Sequence, residues 1–196
     1  MTCYTLYTMN SKLQIISGRF RGRKLNLPTD ARPTQNKARQ ALFNMLYDVL
    51  PDITNKKLLV WDAFAGSGAF GLECISRFDN VNVLFTDIAD SSLNTVKKNA
   101  AMLELKDQAK IQKADALQKI PDLAPIADII FIDPPYNQSN LGADFVCQAS
   151  ILMKKGSLLI WEQEKDNFTS PEKIDEFKLL KDKSYGRARF LILVKS

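Results

Sequence analysis

The sequence predicts an α/β fold: a doubly wound, mostly parallel sheet of seven strands that ends in an antiparallel hairpin. Three observations predict it. From about residue 58 onward, short apolar runs rich in strand formers alternate with helix-compatible stretches. A glycine-rich turn, Gly66-Ser67-Gly68-Ala69-Phe70-Gly71, stands between the first of these strands and the helix after it. Two strand-like runs then follow each other directly at the end of the chain, which suits an antiparallel edge.

Taken in order, residues 13–27 read as a hairpin or strand pair with turn points at Gly18 and Gly22. Thr34 is placed to cap a helix from Gln35 to about Leu50, which Pro51 stops. Strands are expected at 58–62, 81–87, 110–114, 128–132 and 157–163. Helices are expected at about 69–78, 91–103 and 140–153, with a short helical turn ending at Pro121. Residues 165–175 read as loop or helix, and the closing strands as about 177–183 and 189–195. The chain divides into a tail of uncertain character (1–12), a basic hairpin-and-helix extension (13–51) and a ligand-binding domain (52–196). No internal repeat or low-complexity segment is visible.

Two motifs carry chemistry. The apolar run Asp128-Ile129-Ile130-Phe131-Ile132 reads as a buried parallel strand, and Asp133-Pro134-Pro135-Tyr136 follows at its carboxyl end. That is the edge where open α/β sheets hold ligands. Asp133 is an anionic acceptor. The prolines fix φ and lack N–H groups, so carbonyls become the accessible polar groups, and Tyr136 offers a flat stacking face. Such a slot suits an exocyclic amino group on a flat heterocycle. A Pro-Pro turn in an ordinary loop is the bland alternative.

The second motif is the glycine turn in the segment Asp62-Ala63-Phe64-Ala65-Gly66-Ser67-Gly68. Its context of strand, glycine turn and helix is the one a nucleoside-bearing cofactor needs. Asp87 follows the second strand, 21 residues after Gly66, where an acid meets ribose hydroxyls. Asp62 would repel a pyrophosphate but attract the cationic amino-acid end of S-adenosylmethionine. The chain contains no His, which excludes His-based hydride transfer. Asp62 could instead simply cap or turn the chain.

Residues 62–73, Asp-Ala-Phe-Ala-Gly-Ser-Gly-Ala-Phe-Gly-Leu-Glu, resemble motif I of class I methyltransferases, and most of all the RsmD-type 16S rRNA guanine-N2 methyltransferases. Asp133-Pro134-Pro135-Tyr136 is similar to motif IV of that group, shared with amino-group methyltransferases acting on adenine and cytosine. The more specific resemblance lies at the front: Gly18-Arg19-Phe20-Arg21-Gly22-Arg23-Lys24-Leu25, then Arg32-Pro33-Thr34, then Arg39-Gln40-Ala41-Leu42-Phe43-Asn44. Tyr185-Gly186-Arg187 fits as well, so the resemblance spans nearly all of residues 13–194. It implies a Rossmann-like class I fold and methylation of N2 of one guanine in small-subunit ribosomal RNA, with S-adenosylmethionine as donor and no metal. It further implies Asp62, Ala65, Gly66, Ser67, Gly68 and Asp87 as cofactor contacts. Asp115 resembles the position that bonds the adenine amino group, with a helix N-cap as its alternative. Where the family often has Glu-x-Asp, this chain has Asp87-Ile88-Ala89, so Asp87 lacks a second acid.

Charge is unevenly placed. The net charge is +5, yet residues 11–40 hold eight basic residues against Asp30 alone. An arginine-rich segment on a near-neutral domain is an electrostatic footprint for a phosphate backbone. Its candidate RNA contacts are Arg19, Arg21, Arg23, Lys24, Arg32 and Arg39, with Arg39 and Thr34 also candidates for the pocket wall. Lys181, Lys183, Arg187 and Arg189 could extend the same face. A solvated strand face is the plain alternative.

Composition bounds the rest. Hydrophobic content of 45% and charge of 25% are those of an ordinary globular protein. No run of 18 apolar residues and no basic-then-apolar leader is present, so a cytoplasmic protein without a membrane span is expected. Cys3, Cys74 and Cys147 lack the spacing of a disulfide framework or a zinc site. A monomer acting on 16S rRNA or an assembling small subunit is expected. The rivals are a DNA amino-group methyltransferase, for which no target-recognition domain is visible, and a non-catalytic RNA-binding module. A protein-glutamine methyltransferase fits less well, because those carry Asn where Asp133 stands.

Overall fold

The computed structural model describes residues 13–28, 36–50, 57–105, 107–135, 140–166 and 176–196. Its elements are α1 (Asn36–Val49), β1 (Leu58–Asp62), α2 (Ala69–Arg77), β2 (Val81–Asp87), α3 (Asp90–Met102), β3 (Ala109–Lys113), α4 (Ala116–Leu123), β4 (Ile129–Ile132), α5 (Leu141–Leu152), β5 (Leu158–Glu164), β6 (Phe177–Tyr185) and β7 (Ala188–Lys195). The strands form one seven-stranded sheet in the order β3-β2-β1-β4-β5-β7-β6. β7 runs antiparallel between β5 and β6, and the other pairings are parallel. The α/β class, the strand count and the closing hairpin are as the sequence predicts.

The central strands are buried on both faces, which is why they read as unbroken apolar runs rather than alternating ones. Val60, Phe131, Ile160 and Ile192 join one core layer with residues of α1, α2 and α3. Trp61, Ile130, Ile132 and Trp161 join the other, under α4 and α5. Covering each face with helices is the arrangement that lets a parallel sheet bury all its backbone. No helix among the described residues is long and apolar enough to cross a membrane.

One expectation is narrowed and another is corrected. Residues 13–27 close as a hairpin, with the Ile15 and Leu25 N–H groups donating to the Arg23 and Leu13 carbonyls, but they carry a single isolated bridge, Gln14 to Lys24, in place of a regular strand pair. Further backbone N–H groups of the segment, those of Ile16, Ser17, Phe20 and Asn26, are taken by side chains of α2 and α3. The helix before β4 does not end at Pro121 but runs through it to Leu123. Pro121 lies in the last turn, where its fixed φ is helical and its missing N–H costs one bond at most. The cap at Thr34 lies outside the described residues.

Candidate active site

The register of the sheet assembles the site. Asp62 pairs with Phe131, and Phe131 with Ile160. Side chains alternate along a strand, so Asp62, Phe131 and Ile160 share one face, and Asp133 and Glu162, two residues farther on, share it too. Asp87 ends β2 on the same face, in line with Val83 and Phe85. Four carboxylates from four strands thus converge at the carboxyl edge of the sheet, beneath α1 and α2.

The loop after β1 is pinned on both sides. Ala63 N–H donates to the Phe131 carbonyl (3.0 Å) and Ala65 N–H to the Thr86 carbonyl (2.9 Å). Thr86 Oγ1 accepts from Trp61 Nε1 and donates to the Ala63 carbonyl. Asp87 accepts from Gly66 N–H (2.9 Å) and from Ala89 N–H (2.8 Å), so it braces the glycine turn. Gly68 has φ +74°, which an L side chain rarely adopts. Gly71 serves packing: a Cβ there would lie 2.4 Å from the Phe85 ring. The first glycines turn the chain and the last brings helix onto sheet.

A cavity opens at this edge, with about 580 Å³ of empty space counting its mouth. Asp62, Ala65, Gly66, Ser67 and Asp133 all line it, as do Phe64, Phe70, Phe131, Glu162, Leu27 and Arg39. The two motif loops therefore face one space. Phe70 stacks on Phe131 at 4.1 Å between centroids, which gives the cavity a rigid aromatic wall.

The electrostatics are those of a cation hole. Asp62 is 1% exposed; its Oδ2 accepts from Gly71 N–H (3.1 Å), while Oδ1 has no hydrogen-bond partner. Burial holds its carboxyl well above the usual range, and Asp133 and Asp87 add to this, against the pull of the Gly71 N–H. Burial likewise pushes Asp133 up to about 7, although solvent still reaches part of it through the mouth. A positive charge placed among these carboxylates would ionise both.

Of the two readings of Arg39, the pocket wall holds and the phosphate footprint does not. Its side chain is 2% exposed and cannot belong to a phosphate footprint on the surface. It forms part of the cavity wall. Its Nη2 donates to the Gln14 carbonyl and to Asn36 Oδ1, and its Nε lies 3.6 Å from Glu73 Oε2. Burial lowers its pKa, opposed by Glu73 and Glu162. Asp115 Oδ1 accepts from Leu117 N–H and caps α4, as its alternative reading proposes. Tyr136 and Arg32 lie outside the described residues.

The basic segment is not at the cavity mouth throughout. The turn Gly18–Gly22 docks on the far end of α2: Arg19 N–H donates to the Ser76 carbonyl and Phe20 N–H to Ser76 Oγ. Arg19 also bonds Gln108, whose amide reaches the carbonyl of Val81, the first residue of β2. Arg19 and Arg21 thus lie by the amino edge of the sheet, a helix length of about 13 Å from the glycine turn. Arg23 and Lys24, both exposed, start the return toward Leu27 in the cavity wall. In the late cluster, Lys181 pairs with Asp48, Arg187 with Glu164 and Arg189 with Asp182, which neutralises most of that patch locally.

Sequence reasoning missed Glu73 and Glu162. Each is an acid inside an otherwise apolar helix or strand, Ala-Phe-Gly-Leu-Glu-Cys and Leu-Leu-Ile-Trp-Glu, and that placement was the available signal.

Comparison with known proteins agrees with this geometry. The family model described as Conserved hypothetical protein 95 matches residues 13–194. The ribosomal RNA small subunit methyltransferase D of Haemophilus influenzae is 34% identical over 191 residues, 92% of this chain and 94% of that protein. The protein of the same name from Buchnera aphidicola is 36% identical over 166 residues, 82% of this chain and 83% of that one. The solved yhhF structure of Escherichia coli matches with TM-score 0.77 and 27% identity, covering 93% of this chain and 97% of that chain. The fold recurs in RsmC of Thermus thermophilus, with TM-score 0.66 and 20% identity over 86% of this chain and 45% of that chain. The chain therefore belongs to the family of the ribosomal RNA small subunit methyltransferases D, and it is an enzyme of the class I methyltransferase fold.

Proposed function

We propose that this enzyme methylates the exocyclic N2 amino group of a guanine in small-subunit ribosomal RNA, with S-adenosylmethionine as donor, as a monomer in the cytoplasm. The observation that carries the reading is the shared cavity: the glycine turn and Asp133 line the same space. The donor set fits the cofactor. Asp62 offers a buried acceptor with no partner, and the surrounding carboxylates favour a cation over a pyrophosphate. The names of the relatives support ribosomal RNA as substrate.

Asp62, Ala65, Gly66, Ser67 and Gly68 would hold the amino-acid end of the donor, with Asp87 toward its nucleoside. The bound donor supplies an electrophilic methyl group on a sulfonium. The chain's own residues act on the other reactant. The guanine amino lone pair is delocalised into the ring and nucleophilically weak. Acceptance of its N–H bonds by the Asp133 carboxylate and the Pro134 carbonyl favours a pyramidal nitrogen with an available lone pair. The positive charge that grows on nitrogen meets fixed negative groups already in place. As the N–C bond forms and the C–S bond breaks, nitrogen must shed one proton. Asp133, with a pKa near neutrality, is suited to take it. Tyr136 would stack on the base, which must leave its own stack to reach the slot.

The test pairs binding with transfer. Asp133→Ala is expected to lower methyl transfer to small-subunit rRNA by at least about a hundredfold, while calorimetry finds donor affinity changed only a few-fold. Nucleoside mass mapping of the product should show N2-methylguanosine. Wild-type-like turnover of Asp133→Ala, or transfer to duplex DNA in preference to rRNA, would overturn the assignment.

A further inference from the structure

Two residues of the cavity lining, opposite in sign, carry buried atoms with no hydrogen-bond partner among the described residues: Arg39, at Nη1 and Nε, and Asp62, at Oδ1. Buried polar atoms are paired in the great majority of cases, so orphans on residues that line a shared cavity mark where a ligand would complete them. Among the described residues the cavity lining holds three carboxylates, Asp62, Asp133 and Glu162, and the cation Arg39. A simple cation would leave the guanidinium unmatched, and a simple anion would be repelled. The complement of this arrangement is a ligand with positive groups and a single carboxylate.

Arg39 is held for such a task. Its Nη2 is spent on Gln14 and Asn36, and Glu73 stands 3.6 Å from its Nε. Glu73 is itself immobilised: it is fully buried, accepts from the N–H groups of Ile16 (2.8 Å) and Ser17 (2.9 Å), and pairs with Arg77 at 2.7 Å. The remaining Nη1 of a guanidinium fixed in this way offers a carboxylate a charged donor whose position is already set.

We infer that Arg39 binds the α-carboxylate of the methyl donor while Asp62 binds its α-ammonium, a two-sided clamp on the zwitterionic end of the cofactor. This rests on the donor assigned above. Arg39 becomes the residue that tells the complete donor from analogues lacking the carboxylate.

The test uses wild-type protein first. Calorimetry compares S-adenosylmethionine with decarboxylated S-adenosylmethionine, which keeps the sulfonium and the amine but has lost the carboxylate. Wild type is expected to bind the decarboxylated compound about tenfold to a hundredfold more weakly, the loss of one charge-assisted contact. Arg39→Lys and Arg39→Met, checked for folding by thermal melting, should weaken the parent donor by a similar factor and bind both compounds nearly alike. Equal affinity of wild type for the two compounds overturns the clamp while leaving the donor assignment standing. Absence of binding to S-adenosylmethionine itself would instead remove the donor assignment. If both variants fail to fold, the wild-type comparison alone decides.

Discussion

Two regions of this molecule reach a fixed shape by opposite means. Residues 58–87 run as strand, glycine turn, helix and strand, and their backbone groups are satisfied almost wholly by the ladders and by α2. Residues 13–28 contain one isolated bridge, yet they are anchored at several points. Glu73 takes the N–H groups of Ile16 and Ser17, Ser76 takes Phe20, and Asn99 takes Asn26 N–H at 2.8 Å. The first region is built by local periodicity. The second adds to a few bonds of its own three polar side chains far away in sequence, on α2 and α3. The same Asn99 also donates to the Ser67 carbonyl, so the basic segment and the glycine turn are tied to a common residue.

The comparison can be broken most forcefully at Glu73. Its removal leaves Arg39 and Arg77 buried without their acid, and loss of one partner of a buried pair costs about 3–5 kcal/mol. Glu73→Ala is expected to lower the melting temperature sharply and to expose the amides of residues 13–28 to hydrogen exchange. Those of β1 and β2 should keep their protection relative to the new global stability. Equal loss in both regions would mean that the two are one cooperative unit.

Two glycines sharpen the same contrast at about 1–3 kcal/mol each. At Gly18, with φ +83°, an added Cβ would lie 1.8 Å from the Ser76 carbonyl oxygen. Gly18→Ala should detach the basic turn and weaken RNA binding, leaving donor affinity near wild type. Gly71→Ala forces helix α2 off Phe85 and should do the reverse, weakening the donor first. Exchanged phenotypes in the two titrations would refute the division.

A smaller effect separates the site from its scaffold through pH. The Asp133 carboxyl titrates at about 7 in the folded protein against an ordinary value of 3.8. A raised acid contributes stability that is complete below the ordinary pKa and is lost as pH rises through the folded one. Asp133→Asn should therefore raise the melting temperature at pH 8 by a few degrees and change it little at pH 4. A shift of equal size at both pH values would show that the carboxyl carries no such penalty. The gentlest prediction concerns the surface. Replacing Arg19, Arg21 and Arg23 with Gln should reduce the salt slope of RNA binding by about two to three, with stability unchanged. An unaltered slope would remove the phosphate footprint from this turn.

Much of the fold was legible because it follows from short-range rules. The runs from Leu58 to Asp62 and from Val81 to Asp87 are strands at the bounds their composition indicates, and the glycine turn lies between β1 and α2 as read. Asp62, Gly66, Ser67 and Asp133, read from the sequence as candidates because they lie at or just past the end of a strand, line one cavity. Residues 13–27 close as a hairpin yet hold one bridge rather than paired strands, because Glu73, Ser76 and Asn99 take several of their N–H groups. For Arg39 the phosphate reading misled: within a basic cluster its sequence neighbourhood is indistinguishable from that of Arg19 or Arg23.

The sequence by itself determined the alternation of strands and helices, the turn that only glycine can make at Gly68, and the acid at the end of β4. Each depends on residues within a few positions of one another. Only the tertiary structure decided that Arg39 turns inward and that Glu73 moors the amino-terminal segment. It also set Asp62, Asp133 and Glu162 on one face of three neighbouring strands. Those outcomes depend on strand order and register, which bring together residues up to a hundred positions apart, and no local pattern encodes such a meeting.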